Sequence, residues 1–245
     1  MLVLLAIAVA ASRWVTRPVE KAWKQQRQFL SDASHELKTP LTVILSNAEL
    51  LEGAGLTDKP ARWSGNIRSE AKQMGSLVEQ MLTLARADNG VRPVAMEPVN
   101  LSDVATDCAL AFEPVAFEAG KPLEDHIAEE VAVTGDADRL RRLISILVDN
   151  AVKYGAEGGT ITLTLEKTDR QAQLTVANPG EPIPPENLAH LFERFYRADT
   201  SRGEKTGFGL GLSIADTIAR EHKGTLKAKS DAASTRFIFT MPLKK

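Results

Sequence analysis

Three groups of residues in this chain have types and spacings that could do chemistry. The first is Ser34-His35-Glu36-Leu37-Lys38-Thr39-Pro40-Leu41. An imidazole titrates near neutrality, so His35 can serve as a nucleophile or a proton carrier. Glu36 beside it can take or orient a proton, and Thr39 places a hydroxyl one helical turn further on. The second is Asp149-Asn150-Ala151-Val152-Lys153-Tyr154. There Asn150 offers a neutral carbonyl oxygen suited to Mg²⁺, Lys153 a point charge for phosphate and Tyr154 a flat face. The third is Gly207-Phe208-Gly209-Leu210-Gly211, running into an apolar stretch. Glycines at alternate positions let backbone N–H groups approach phosphate oxygens, and the start of a helix favours negative charge. A lone Gly-x-Gly-x-Gly also suits a flexible loop, and this one does not follow a strand as a dinucleotide fingerprint does.

Hydrophobic periodicity shows which elements must position these groups. Leu30, Ala33, Leu37, Leu41, Ile44, Ala48 and Leu51 follow three-and-four spacing and form one apolar seam of a helix. His35, Lys38, Thr39 and Thr42 fall on the opposite, wet side, and Pro40 should bend the helix there. Glu52 to Pro60 carries two glycines and a proline, which reads as a turn. A second amphipathic helix follows, with Ile67, Ala71, Met74, Val78, Met81 and Ala85 on its seam. One helical hairpin leaves an apolar seam uncovered, so a second copy completing a dimeric four-helix bundle is the economical solution.

Asp88 to Pro93 breaks the helix and opens a linker, and beyond Glu97 the pattern changes. Leu101 to Phe117 reads as a helix interrupted at Pro114; Leu123 to Ile127 and Val131 to Thr134 read as short strands. Asp136 to Tyr154 is a strongly apolar helix capped by the Asp136 region. Thr160 to Glu166 pairs with Gln171 to Ala177, and Gly224 to Lys229 with Arg236 to Met241. The expected class is therefore α plus α/β: a helical hairpin, then an α/β sandwich with one sheet and helices on one face.

The bulk composition is that of a globular protein, with 43% hydrophobic and 25% charged residues in 245. A net charge of −2 argues against a general nucleic-acid binder. The single cysteine, Cys108, lies in an apolar run and reads as a small buried residue. Residues 1–11 are apolar and are followed by Arg13, Trp14 and Arg17, which reads as the cytoplasmic end of a transmembrane helix whose beginning, with any sensor region, lies outside this chain. The intervening residues are too few for a separate relay domain. The expected organisation is thus a membrane-helix end at 1–15, a helical linker at 16–28, the hairpin at 29–89, a linker at 90–98 and the α/β domain at 99–245.

Ser34 to Leu41 closely resembles the H-box of sensor histidine kinases, in which the histidine accepts the γ-phosphoryl group of ATP. Leu147 to Tyr154, Val176 to Pro184, Leu191 to Asp199 and Thr206 to Ile214 resemble, in order, the N, G1, F and G2 boxes of the same family's GHKL-type ATP-binding domain. That resemblance covers Phe29 to the C-terminus. It implies a bacterial two-component kinase on the plasma membrane, with a cytoplasmic catalytic part. By the same resemblance Asn150 holds Mg²⁺, position 178 reads the adenine amino group, Tyr154 lies against the base, and Gly180, Gly207, Gly209, Leu210 and Gly211 belong to the ATP site. Residues 198–206 would form a lid. His35 would be the acceptor, Glu36 the base and Thr39 the residue that positions water for dephosphorylating a response-regulator receiver domain.

Three residues depart from the family pattern. Ile146 stands where an asparagine is usual, Asn178 where an aspartate is usual and Pro182 where a second glycine is usual. An amide at 178 still accepts a hydrogen bond from an adenine amine, at a cost of about 1 kcal/mol relative to a charge-assisted one. Two other readings remain beside the kinase: a weakened dimerisation and docking module, and a hydrolysing ATPase of the same fold. The latter needs a carboxylate base near Asn150, where Ile146 stands.

Overall fold

The structure is a computed structural model that describes residue 33 and residues 36–51, 60–88, 96–197 and 207–244. His35, the N-terminal segment read as a membrane-helix end and linker, and the lid segment 198–206 lie outside the described residues. The chain divides into two compact units, Met1–Val78 and Glu79–Lys245, a division that falls within the second helix.

The first unit holds helix α1 (36–51) and most of α2 (Pro60–Asp88). Asn66 donates its side-chain amide to the Asn47 carbonyl oxygen at 3.2 Å, and Asn47 is itself oriented by donating to the Val43 carbonyl. Pro40, at the predicted bend, lies within the continuous helical run. The buried positions of α2 differ from the expected seam. Leu77 and Leu84 are fully buried, whereas Val78 is 43% exposed. The reason is that α2 is apolar on both sides of the Ile67–Met74–Met81 line, so burial within one chain takes only the Leu77 and Leu84 side. A second stripe stays open, and on α1 Leu41 and Leu45 do likewise, Leu45 at 54% exposure.

The second unit is an α/β sandwich. Its main sheet has the order β2-β4-β5-β7-β6, from β2 (Leu123–Ile127), β4 (Ile161–Lys167), β5 (Gln171–Asn178), β6 (Thr225–Ser230) and β7 (Thr235–Pro242). Only β2 with β4 is parallel; the other neighbours are antiparallel. Helices α3 (Leu101–Glu118), α4 (Ala137–Tyr154) and α6 (Gly211–Glu221) pack on the sheet, with α4 against both others, and a short helix α5 (Pro185–Leu188) precedes α6 in the chain. Strict alternation puts Ile161, Leu163, Leu165, Leu174, Val176, Phe237 and Phe239 on the helix-facing side, all essentially buried.

Two details differ from expectation. Pro114 lies inside a continuous α3. Its missing N–H leaves the Leu110 carbonyl unpaired, and Leu110 is 62% exposed, so water can satisfy that carbonyl and the helix continues. The second concerns the two short strands. β3 (Ala132–Gly135) leaves the main sheet and pairs with β1 (Glu97–Asn100), a strand absent from the sequence reading. Two local expectations hold. Asp136 caps α4 by accepting from the Asp138 and Arg139 amides. Cys108 is buried, its thiol pKa is pushed up chiefly by that burial, and it lies 3.8 Å from the Ser145 hydroxyl.

Candidate functional site

Helix α4 organises the site in the second unit. Leu143, Ile144, Leu147, Val148 and Ala151 face the core, which turns Ile146, Asn150 and Lys153 onto the border of the buried stripe, at i, i+4 and i+7. Asn150 is half-buried, and no protein group pairs with its side chain among the described residues. Lys153 pairs with Asp149 at 2.6 Å. Both partners are well over a third exposed or close to it, so the pair is worth at most about 1 kcal/mol and an incoming anion could displace it.

The end of β5 meets the end of α4. Alternation along Ala172, Leu174 and Val176 carries Asn178 onto the helix-facing side at the last residue of the strand, where it is 3% exposed. Its amide nitrogen donates to the Pro179 carbonyl at 3.2 Å. The Pro179 carbonyl also accepts the Ala156 N–H at 2.8 Å. Gly180 fits close to α4, since a Cβ there would lie 3.3 Å from the Tyr154 carbonyl oxygen. Tyr154 itself is 38% exposed.

The glycine stretch meets the same helix from the other side. A Cβ on Gly211 would lie 3.4 Å from Cγ2 of Ile146, one turn before Asn150. Gly209 is the position where no other residue fits: its φ is +68°, and a Cβ would fall 2.7 Å from the Phe195 carbonyl carbon and the Tyr196 oxygen. Gly207 has open space around it. Leu210 is buried and starts α6 without any side-chain cap, so the first N–H groups of that helix have no side chain to receive them. Asn150 thus lies on α4 between an uncapped helix start with a glycine approach and a buried amide with an exposed aromatic beside it. That arrangement suits a triphosphate at one end and a base at the other.

Sequence reading missed Lys121. It is 8% exposed, and its ammonium donates to the Val152 carbonyl in the last turn of α4 at 2.5 Å. A cation at a helix C-terminus is favoured by the helix dipole. Its stem and Asn178 both bound Gly155, where a Cβ would meet Lys121 Cδ at 3.7 Å and Asn178 Cβ at 3.5 Å. His222 was missed as well. It is 2% exposed, its Nε2 accepts from the Asp136 N–H at 3.0 Å and its Nδ1 faces the Ile218 carbonyl at 2.8 Å, which joins the end of α6 to the cap of α4. Neither has a sequence signal, since each follows an ordinary helix end.

In the first unit, Glu36 and Leu37 are half-buried and Lys38 and Thr39 are exposed. The Thr42 hydroxyl donates to the Lys38 carbonyl at 2.9 Å.

Comparison with known proteins matches residues 135–245 to the histidine kinase-, DNA gyrase B- and HSP90-like ATPases, and residues 25–90 to the His Kinase A (phospho-acceptor) domain. The class is therefore a phospho-acceptor domain joined to an ATP-binding domain of this ATPase type. Sensor protein DltS of Streptococcus agalactiae is 35% identical over 98% of this chain and 60% of its own length. Sensor histidine kinase CusS of Escherichia coli K12 is 37% identical over 91% of this chain and 47% of its own. The structure of ShkA in complex with AMPPNP matches 89% of this chain and 46% of that chain, with TM-score 0.67 and 27% identity. The chain thus carries, in one polypeptide, a phospho-acceptor and an ATP-binding domain similar to those of sensor histidine kinases. It spans 60% or less of the length of these curated relatives.

Proposed function

We propose that this chain is the kinase core of a homodimeric sensor that phosphorylates itself on His35 from Mg-ATP and passes the group to an aspartate of a response-regulator receiver domain. The observation that carries the reading is the union, in one chain, of a phospho-acceptor segment containing His35 with an ATPase-type domain whose α4, β5 end and α6 start converge around Asn150. Residues 29–89 are assigned to dimerisation and phosphotransfer, 99–245 to ATP binding and 90–98 to the linker that gives the second domain its reach.

In the transfer step, one ring nitrogen of His35 attacks the γ-phosphorus in line. An N–P bond forms as the bridging P–O bond breaks, and the electron pair leaves with ADP. Glu36 accepts the proton from the opposite ring nitrogen, so the imidazole does not accumulate positive charge. The amides at the start of α6 and the Lys153 ammonium receive the phosphates, and Tyr154 and Asn178 receive the base. The Asn150 amide oxygen fits Mg²⁺: it is a hard, neutral donor without a protein partner, and no cluster of three His, Cys, Asp or Glu stands among the described residues to cage an ion instead. Bound there and shared with the phosphates, the ion would draw negative charge off the transferring group.

Thr39, exposed and in the same sequence motif as His35, is assigned to positioning water for the reverse, dephosphorylating reaction. Residues 1–15 are assigned to the end of a membrane helix, with the catalytic part on the cytoplasmic side; among the described residues no helix is long and apolar enough to cross a membrane. The test is incubation with Mg²⁺ and [γ-³²P]ATP, which should label the protein with acid-labile, alkali-stable phosphate. Absence of both label and nucleotide binding at millimolar Mg-ATP would refute the reading.

A further inference from the structure

Helices α4 and α6 pack in opposite directions: the end of α6 lies at the start of α4, and Gly211, the first residue of α6, lies against Ile146. The stretches between these two meetings, Asp136 to Ile146 and Gly211 to His222, are each about 15 Å long at the helical rise. A fixed point at one end therefore sets the register at the other. At the site end the contact is apolar and carries no direction, since a Cβ on Gly211 would lie 3.4 Å from Ile146 Cγ2. The far end is polar and directional. His222, the C-cap residue of α6, is 2% exposed and accepts the Asp136 N–H on Nε2 at 3.0 Å. That assigns the ring proton to Nδ1, which donates to the Ile218 carbonyl at 2.8 Å. The ring is seated on Gly135, where a Cβ would fall 2.7 Å from its Cδ2. Beside it Arg139 donates to Glu221 in the last turn of α6, and its Nε lies 3.7 Å from the Asp136 carboxylate. None of these groups has a part in the transfer step.

We propose that His222 is a positioning residue for the phosphate end of the site: its bond to the Asp136 N–H fixes the axial register of α6 on α4, and with it the distance from the α6 amides to Asn150. The inference rests on the reading of the α6 start as the phosphate end of a nucleotide site. The first amides of α6 have no side-chain cap and point along the helix axis, so sliding α6 on α4 moves them directly toward or away from a ligand held at Asn150. An apolar contact such as Gly211 on Ile146 changes little when one helix slides by a residue's rise, whereas a hydrogen bond loses its partner. The His222 clasp is thus the part of the α4–α6 contact that resists sliding. Misplacing a positioned group by about 1 Å costs up to about a hundredfold in the step it serves. Tyr154 and Asn178, assigned to the base, stand on α4 and β5, so the base end does not depend on the register of α6.

The test is a binding titration of the full chain with Mg-ATP and, separately, with adenosine, which lacks the phosphates, on wild type, His222→Phe and His222→Gln, with denaturant melts reporting folding. Phenylalanine keeps the ring and removes both bonds; glutamine returns an acceptor near the place of Nε2. The expected result for His222→Phe is Mg-ATP binding weakened about tenfold or more with adenosine binding within about twofold of wild type, and for His222→Gln a return of Mg-ATP binding to within about threefold. A folded His222→Phe that binds Mg-ATP like wild type, that loses both ligands equally, or that glutamine fails to rescue overturns the inference and leaves the nucleotide site standing. Wild type that binds no Mg-ATP overturns both. Should His222→Phe not fold, Glu221→Ala, which removes only the outer bond of the clasp, decides: a loss of about two- to tenfold for Mg-ATP with adenosine unmoved supports the inference, and no loss overturns it.

Discussion

The N–H of Ala156 donates to the carbonyl of Pro179 at 2.8 Å, and this bond ties the end of α4 to the turn after β5. It brings Asn150 and Tyr154 on one element to Asn178 on another. With Gly211 against Ile146, it makes α4 the common wall of the site. The site's geometry therefore depends on backbone fit more than on side-chain bonds, and the tests follow from that.

Gly209→Ala should be far more damaging than Gly207→Ala. The former forces a Cβ into a left-handed residue 2.7 Å from backbone atoms at Phe195 and Tyr196, while the latter meets open space. We expect about 2 kcal/mol of lost stability or more for Gly209→Ala, with loss of labelling, and under about 0.5 kcal/mol for Gly207→Ala. Denaturant melts with parallel labelling check this, and equal tolerance of both would contradict the fit.

Leu45→Glu should turn a dimer into a monomer. Leu45 is 54% exposed in the single chain, on the stripe of the hairpin that a second copy would cover. An unpaired carboxylate buried in that interface costs several kcal/mol. Analytical ultracentrifugation should give a dimer for wild type and a monomer for the variant; a monomeric wild type would sink the bundle.

Thr39→Ala should leave labelling from ATP in place while slowing dephosphorylation of the phosphorylated receiver at least about tenfold, as expected for a hydroxyl that positions water. Equal loss of both activities would remove Thr39 from that role.

Asp216 gives a pH-dependent prediction. Burial is the main cause of a carboxyl pKa raised above the ordinary 3.8, with Arg220 opposing it. A raised folded-state pKa means the folded form holds the proton more tightly than the unfolded one. Its contribution to stability therefore falls as pH rises from about 3.8 through the folded value, and stays at its low level at neutral pH. Asp216→Asn should accordingly be at least as stable as wild type at pH 7, with its advantage shrinking on acidification. Thermal melts from pH 4 to 7 read the difference, and an advantage that grows on acidification would contradict the assignment.

The strands and α4 were legible because their signals are local: alternation at Ile161–Leu165 and Leu174–Val176, and an aspartate cap at Asp136. Motif order nominated the candidate site residues, and of these the fold brings Tyr154 close to Gly180 and sets Gly211 against Ile146, one turn from Asn150. What was not legible depends on tertiary context. The continuity of α3 through Pro114 depends on an exposed carbonyl; β1 is too short to show a period; the seam of α2 depends on which of two apolar sides the chain covers itself. Lys121 reads as a surface lysine until the fold places its ammonium against Val152.

The most direct measurement is phosphoryl transfer to one residue. Wild type and His35→Gln, shown to bind Mg-ATP alike, are incubated with [γ-³²P]ATP, and the label is tested for stability in acid and alkali. The account predicts acid-labile, alkali-stable label on wild type that maps to His35, and none on the variant. Undiminished labelling of His35→Gln would contradict it.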